Sequence, residues 1–408
     1  MNINKYNAGL TFLLTATSLA FAAPTMAEET FLDALTKGKP ILDANYRFES
    51  ADDGLRAETG VASTIRIRAG YATGEYEDFS GVIELESTNN FGSDEYDAFP
   101  GGNPNGDGPD LATHGVIADP MVSELNQAYL QYTGLEKTTI KAGRQRLILP
   151  TARFVGNVGW RQNEQTFDAV SIQTKALADT TVTYAYLFER HNILGISSDM
   201  DTHLFDAAYS GLNFGTFTAY AYLLDLAGTA DSATYGLRFA GKTKLEDVTI
   251  HYKAEYASQS DYADAGDFSA DYLAGELGAT FSGVTAKVGY ELLGSDDGVA
   301  AFSTPLATLH KFNGWADRFL TTPANGLEDI YGTVSGAIKG VKLVATYHDF
   351  SSDVGGIGYG SEIDLQAVRK FDKFTVGVKF ADYSADNAGA GPVNNDVTKV
   401  WLWVNFKL

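Results

Sequence analysis

The end of this chain alternates residue by residue: Val400, Leu402, Val404, Phe406 and Leu408 are apolar, and Lys399, Trp401, Trp403, Asn405 and Lys407 stand between them. Successive side chains of a β-strand point to opposite faces, so such a segment separates a greasy environment from a wet one. The pattern returns along the sequence in segments of about ten residues, too often for the core of one soluble sandwich to absorb. It predicts a transmembrane barrel whose strands are apolar outside and polar inside.

Arginine positions set the register. Pro40 opens a first strand with Leu42, Ala44, Tyr46 and Phe48 toward lipid and Asp43, Asn45, Arg47 and Glu49 toward the interior. A second strand turns Val61, Ile65, Ile67, Ala69 and Tyr71 outward and Thr64, Arg66 and Arg68 inward. Slipping it by one residue would place both arginines in hydrocarbon, at about 2–4 kcal/mol each near the midplane. A third strand puts Phe79, Ile83 and Leu85 out and Glu84 and Glu86 in. Continued along the chain, the count is about eighteen strands, with sixteen as the alternative. Short connections such as Gly134-Leu135, Ser282-Gly283, Lys339-Gly340 and Asp372-Lys373 belong on the periplasmic side, and the longer Gly-, Asp- and Ser-rich ones outside. The fold class is therefore all-β: an antiparallel up-and-down transmembrane β-barrel over residues 40–408, preceded by a periplasmic lead-in at 28–39.

Residues 1–27 fit a secretory leader, since Lys5 precedes an apolar stretch from Leu10 to Ala23 and small residues lead to Ala27. That stretch is too short for a spanning helix, and no run of about eighteen apolar residues follows it. The chain has no cysteine, which removes disulfides, thiolate nucleophiles and Cys-ligated metals together. Its formal charge is −22, and loss of the leader, with its single Lys5 and no acid, makes it one unit more negative. Nucleic acid is excluded as a partner on that balance. The expected address is the outer membrane of a Gram-negative cell, with lipid as the surrounding partner.

An eighteen-stranded barrel leaves a water-filled lumen, so the default expectation is passage of solutes. Three connections are long enough to narrow it: Asn90 to Met121, Ile148 to Gln165 and Gly294 to Gly326. The densest polar segment runs from Gly143 to Asp168, and its residue types suit a constriction. Arginine offers a fixed charge with a planar fork of donors, Trp160 a stacking face for a sugar, and Gly156 and Gly159 close backbone approach. The candidate positive side is Arg47, Arg66, Arg68, Arg144, Arg153 and Arg161, with Glu84, Glu86, Glu164 and Asp168 opposite. The competing expectation is an Arg–acid network that pins the loop to the barrel wall, since structural ion pairs use the same residues.

This segment also resembles the alginate export family of outer-membrane proteins. The matching pieces are Gly143-Arg144-Gln145, Arg153-Phe154-Val155-Gly156, Trp160-Arg161-Gln162-Asn163 and Thr166-Phe167-Asp168. The stretch Lys311 to Leu320 with Gly326-Leu327-Glu328-Asp329 is similar to a further segment of that family, and Ala34 to Lys39 and Arg47-Phe48-Glu49 fit as well. The resemblance implies an eighteen-stranded monomeric barrel and, in the founding members, a basic pore for an anionic polysaccharide.

The inward charges point elsewhere. Arg47, Arg66, Arg68, Lys141, Arg238, Lys253, Lys287, Lys342 and Lys379 are matched by Asp43, Glu49, Glu84, Glu86, Glu255, Glu276, Glu291, Glu362 and Asp364. A polyuronate wants one sign along its path, whereas opposed charges across a lumen suit small polar solutes. The expectation is a porin for passive diffusion of small hydrophilic or anionic solutes, oligosaccharides included, with a dedicated alginate exporter as the alternative. No enzymatic constellation, metal or cofactor is expected: the six histidines lack a Ser-rich partner motif. The acidic loop from Asp94 to Asp110 has the composition of a calcium loop but not the EF-hand spacing, so a solvated loop is expected there.

Overall fold

The computed structural model describes residues 30–99, 111–227, 231–386 and 394–408; the expected leader at 1–27 lies outside the described residues. The alternating segments become the strands β1 (Lys39–Asp52), β2 (Gly60–Ala72), β3 (Phe79–Glu95), β4 (Ser123–Tyr132), β5 (Thr138–Gln145) and β6 (Thr166–Thr174). They continue as β7 (Thr180–His191), β8 (Ser197–Leu212), β9 (Gly215–Leu224), β10 (Ser232–Leu245), β11 (Val248–Ser260) and β12 (Ser269–Phe281). The last six are β13 (Val284–Leu293), β14 (Leu327–Ile338), β15 (Val341–Ser351), β16 (Gly358–Phe371), β17 (Phe374–Ala385) and β18 (Val397–Lys407). All eighteen form one sheet of antiparallel neighbours. It closes where β1 pairs with β18, from Asp43 opposite Lys407 to Asp52 opposite Thr398, so the barrel has no open edge.

The register is the one that keeps charge out of lipid. Arg68 lies opposite Asp43 on one side and Glu86 on the other, and Lys253 lies opposite Glu276. The polarity is inside out for a water-soluble protein. Leu130, Leu277 and Val288 are each more than half exposed, while Arg47, Glu49, Arg66, Glu84 and Glu86 are buried within. Outward apolar rows can be exposed in this way only because hydrocarbon meets them.

Two details differ from the sequence reading. The lead-in contains a short helix, α1 (Phe31–Thr36), started by a capping box in which Thr30 Oγ1 accepts from the Asp33 amide and the Asp33 carboxylate accepts from the Thr30 amide. The Thr30-x-x-Asp33 spacing was its signal. Strand β3 continues to Glu95, because Asp94 and Glu95 pair with Ala62 and Val61, so the long connection begins after the expected Asn90. In the acidic loop, Asp97 is taken by Arg56 at 3.3 Å and by the Phe99 amide at 2.9 Å, and residues 100–110 lie outside the described residues.

Candidate functional site in the barrel lumen

Two connections fold into the lumen and join each other there. One runs from Arg146 to Gln165 between β5 and β6, the other from Gly294 to Gly326 between β13 and β14. A bridge between Val155 and Leu306 ties them. Around it, the Gly156 amide donates to Leu306 O (2.9 Å), the Thr308 amide to Ala152 O (3.0 Å) and Gln165 Nε2 to both Gly156 O and Leu306 O (2.7 and 3.0 Å). Backbone groups that cannot reach water are thereby satisfied within the loops, which is what allows irregular chain at membrane depth.

The first connection crosses the lumen as a strap moored at both walls. At the β1–β4 wall, Arg161 donates to Glu49 at 3.0 Å and to Asp317 of the second connection at 3.1 Å. Arg47 donates to Asp119 at 3.1 Å and to Trp160 O, and its guanidinium lies 4.4 Å from the Trp160 ring centre. Arg66 pairs with Asp43 and Arg68 with Glu86. Glu164 accepts from Arg146 and from Asn126, and Glu84 from Asn126, Gln127 and Arg146. At the opposite wall, Arg153 donates to Glu291 of β13 at 2.8 Å, and Phe154 packs among Tyr220, Tyr222, Tyr272 and Phe302.

The electrostatics of the strap follow from this pairing. Burial alone would raise the Glu164 carboxyl, but the Arg146 hydrogen bonds and the Arg68 and Arg146 charges outweigh it and hold it down at about 2. Burial likewise works against the Arg161 cation, and the charges of Glu49, Asp119 and Asp317 more than restore it. Burial pushes His310 down to about 3, so it is neutral at physiological pH. The depressed Asp317 carboxyl is therefore held by Lys399 and Arg161 rather than by an imidazolium. His310 stacks on Trp160 at 4.8 Å and its Nε2 lies 3.0 Å from Lys379 Nζ. Lys379 also faces the ring of Trp315 at 4.0 Å, and Trp403 lies 5.4 Å from Trp160. The four tryptophans of the chain thus meet where both loops touch β17 and β18, since Trp401 lies 5.8 Å from Trp160.

Of the residues singled out in the sequence, Arg47, Arg66, Arg68, Glu84, Glu86, Trp160, Arg161 and Glu164 come together at one wall, and Arg153 sits across from them. Arg144 and Asp168 do not join them. They pair bidentately at 2.8 and 3.1 Å, but on the row of Ala142 and Val170, which faces lipid, near the extracellular rim. Alternation explains it: Gln145 and Phe167 take the inward places beside them. Asp168, Glu189 and His191 hold their ligand atoms within 4.8 Å, the one such group among the described residues, yet Arg144 already occupies both oxygens of Asp168.

Space remains on either side of the joined loops. Toward the periplasm a chamber of about 390 Å³ lies against β10–β16. Arg238, Lys253, Lys287 and Lys311 line it, interleaved with Glu255, Glu276 and Glu291 on the same strands, and Asp329 and Asp364 lie further round, with Trp315 and Tyr331 among its aromatic walls. Arg238 and Lys287 have carboxylate partners in Glu255 and Glu276, whereas Lys253 has no ion-pair partner among the described residues. Its inward place was readable from alternation; its openness was not, because that depends on which wall the strap covers. Toward the outside, a vestibule of about 320 Å³ is bounded by Leu55, Val158, Arg161, Arg190, Asp317 and Lys399 among others.

A closed eighteen-stranded barrel with lipid-facing apolar rows and loops folded into a charged lumen is an outer-membrane β-barrel of porin architecture, at home in the Gram-negative envelope. The chain belongs to the alginate export family, whose model matches residues 41–293. In fold it is similar to OccAB4 of Acinetobacter baumannii, with 12% identity, a TM-score of 0.72, and 91% of this chain and 98% of that one covered. It is equally similar to OpdK of Pseudomonas aeruginosa, crystallised with vanillate: 12% identity, TM-score 0.72, coverage 92% and 99%. A BenF-like porin from Pseudomonas fluorescens Pf-5 matches at 12% identity and a TM-score of 0.70, over 92% and 100%. At these identities the likeness is one of fold. Among curated proteins none matches the chain by sequence.

Proposed function

We propose that this barrel is a monomeric channel for passive diffusion of small hydrophilic and anionic solutes, with no chemical step. The observation that carries this reading is the chamber beneath the loops, lined by bases and acids together: Arg238, Lys253, Lys287 and Lys311 with Glu255, Glu276, Glu291, Asp329 and Asp364. Charges of both signs around a narrow lumen contact a small polar solute without binding it tightly, as conduction requires. In the same reading, the strap residues Arg47, Arg66, Arg68, Arg153 and Arg161, with Glu84, Glu86 and Glu164, narrow the lumen by fixing the loops rather than by touching the solute. Family membership keeps export of an anionic polysaccharide as the second reading. Against it stands the mixed sign of the chamber, where acids are interleaved with the bases that a uronate would follow.

Single-channel recording in planar bilayers decides between the two. An open pore of weak ion selectivity, unblocked by uronate oligomers, supports diffusion. Strong anion preference with block by those oligomers would transfer the protein to the second reading, and absence of any conductance would remove both.

A further inference from the structure

The arginines that tie the strap to the walls, Arg47, Arg146, Arg153 and Arg161, each have a carboxylate within ion-pair distance; at the outer mouth, Arg190 has none among the described residues. Arg190 is the penultimate residue of β7, and its pairing with Phe167 turns it inward to the vestibule. Its Nε is buried without a hydrogen-bond partner, and among the described residues no carboxylate forms an ion pair with it. The neighbouring cations are committed: Arg56 to Asp53 (2.9 Å) and Asp97, Arg161 to Glu49 and Asp317, and Lys399 to Asp317 (3.0 Å). The two carboxylates of the lining, Asp53 and Asp317, are therefore already engaged, and neither is left for Arg190.

Arg318 and His310 also line the vestibule, and most of the remaining wall is apolar. Leu55, Val116, Val158, Leu309, Leu320 and Val397 supply much of its wall, from five separate segments of the chain. A guanidinium held in apolar surroundings without a counter-ion is a costly arrangement for a structural residue and a favourable one for a binding residue, since an incoming anion supplies the missing partner. The planar fork of arginine fits a carboxylate, and the walls suit a hydrocarbon body. We infer that the vestibule is a binding site for a small organic monoanion, a carboxylate with an apolar body, held by Arg190. This deepens the diffusion reading by naming the solute class captured at the outer mouth, and it separates that step from the chamber below, where both signs of charge are present.

Calorimetric titration of the folded full-length barrel in detergent tests it, with sodium benzoate as probe and benzamide as the neutral molecule of the same shape. Benzoate is expected to bind saturably, and benzamide about tenfold or more weaker, because it lacks the charge that Arg190 answers. Arg190→Gln is expected to weaken benzoate by a similar factor and Arg190→Lys by less, whereas Lys253→Gln, in the chamber, leaves it unchanged. Equal binding of benzoate and benzamide, no saturable benzoate binding, or loss with Lys253→Gln in place of Arg190→Gln would each overturn the site. The two small molecules compare on the unaltered protein, so a variant that fails to fold leaves the test intact. Conductance is recorded separately: binding without conductance sinks the diffusion reading alone, and conductance without benzoate binding sinks the site alone.

Discussion

The β1–β4 wall and the β10–β16 wall begin from the same sequence pattern, inward Arg and Lys interleaved with inward Glu and Asp, and end in opposite conditions. At the first wall the strap arrives with Arg161, Glu164 and Trp160, and the charges close on one another out of water. At the second wall the strap touches down with Arg153 and Phe154, and a chamber of about 390 Å³ stays open beside Lys253 and Lys287. A charge in a lumen is a structural tie or a solute contact according to whether a loop covers it. Its sign and its strand position do not decide.

The sharpest way to break this comparison is to cut both moorings. In the double variant Arg153→Ala/Arg161→Ala, the carboxylates of Glu49, Asp119, Asp317 and Glu291 lose buried partners. Removing one partner of a buried pair typically costs about 3–5 kcal/mol, so the barrel should unfold at markedly lower denaturant or temperature, read by its heat-modifiable migration. Single-channel conductance should rise, and selectivity should move toward cations, as the strap loosens and two positive charges leave. Unchanged conductance would mean that the strap does not narrow the lumen.

The matched change on the open wall should do the reverse. Lys253→Gln with Lys287→Gln removes charge from partly exposed groups of the chamber, so stability should change by no more than about 1 kcal/mol. The reversal potential in a salt gradient should nevertheless shift clearly toward cations, because the chamber's net charge falls by one elementary charge at each position. An unmoved reversal potential would show that ions bypass the chamber.

Acid should act on the covered wall first. The Glu164 carboxyl sits at about 2 in the folded protein against an ordinary 4.5, so its contribution to stability is complete above that ordinary value and is lost as pH falls toward 2. The difference corresponds to roughly 3 kcal/mol. Heat resistance measured from pH 6 downward should therefore decline between about 4.5 and 2, and the decline should be shallower in Glu164→Gln, which starts lower. A variant with the same acid profile as the parent would place the sensitive group elsewhere.

Much of the barrel could be read before any coordinates because lipid punishes error: with Arg66 and Arg68 in β2, only one register is tolerable, and every neighbouring strand inherits it. The destination of the loops could not be read in this way. Arg153 meets Glu291 and Arg161 meets Glu49 at sequence separations of 138 and 112, and nothing local to either residue states which wall it will reach. Arg190 escaped notice for a different reason. A bulge between Leu187 and Glu189 resets the alternation just before it, so period-two counting from Tyr184 and Tyr186 assigns the end of β7 to the wrong faces.

Arg144 and Asp168 were misplaced although the rule that places them was in hand, and they give the smallest and cleanest test of the comparison. They were grouped with the constriction because they stand in one motif with Arg153 and Arg161, yet two steps along β5 from lipid-facing Ala142 leads outward to Arg144. The pair is partly exposed, with side-chain accessibilities of 20% and 16%, so screening limits its worth to about 1 kcal/mol or less. Arg144→Ala should lower heat resistance slightly and leave conductance and ion selectivity at the parent values, in contrast to Arg161→Ala, only seventeen positions away. A selectivity shift from Arg144→Ala as large as that from Arg161→Ala would mean that the outer row of β5 communicates with the lumen, and that wall position, rather than loop coverage, governs what a charge does in this barrel.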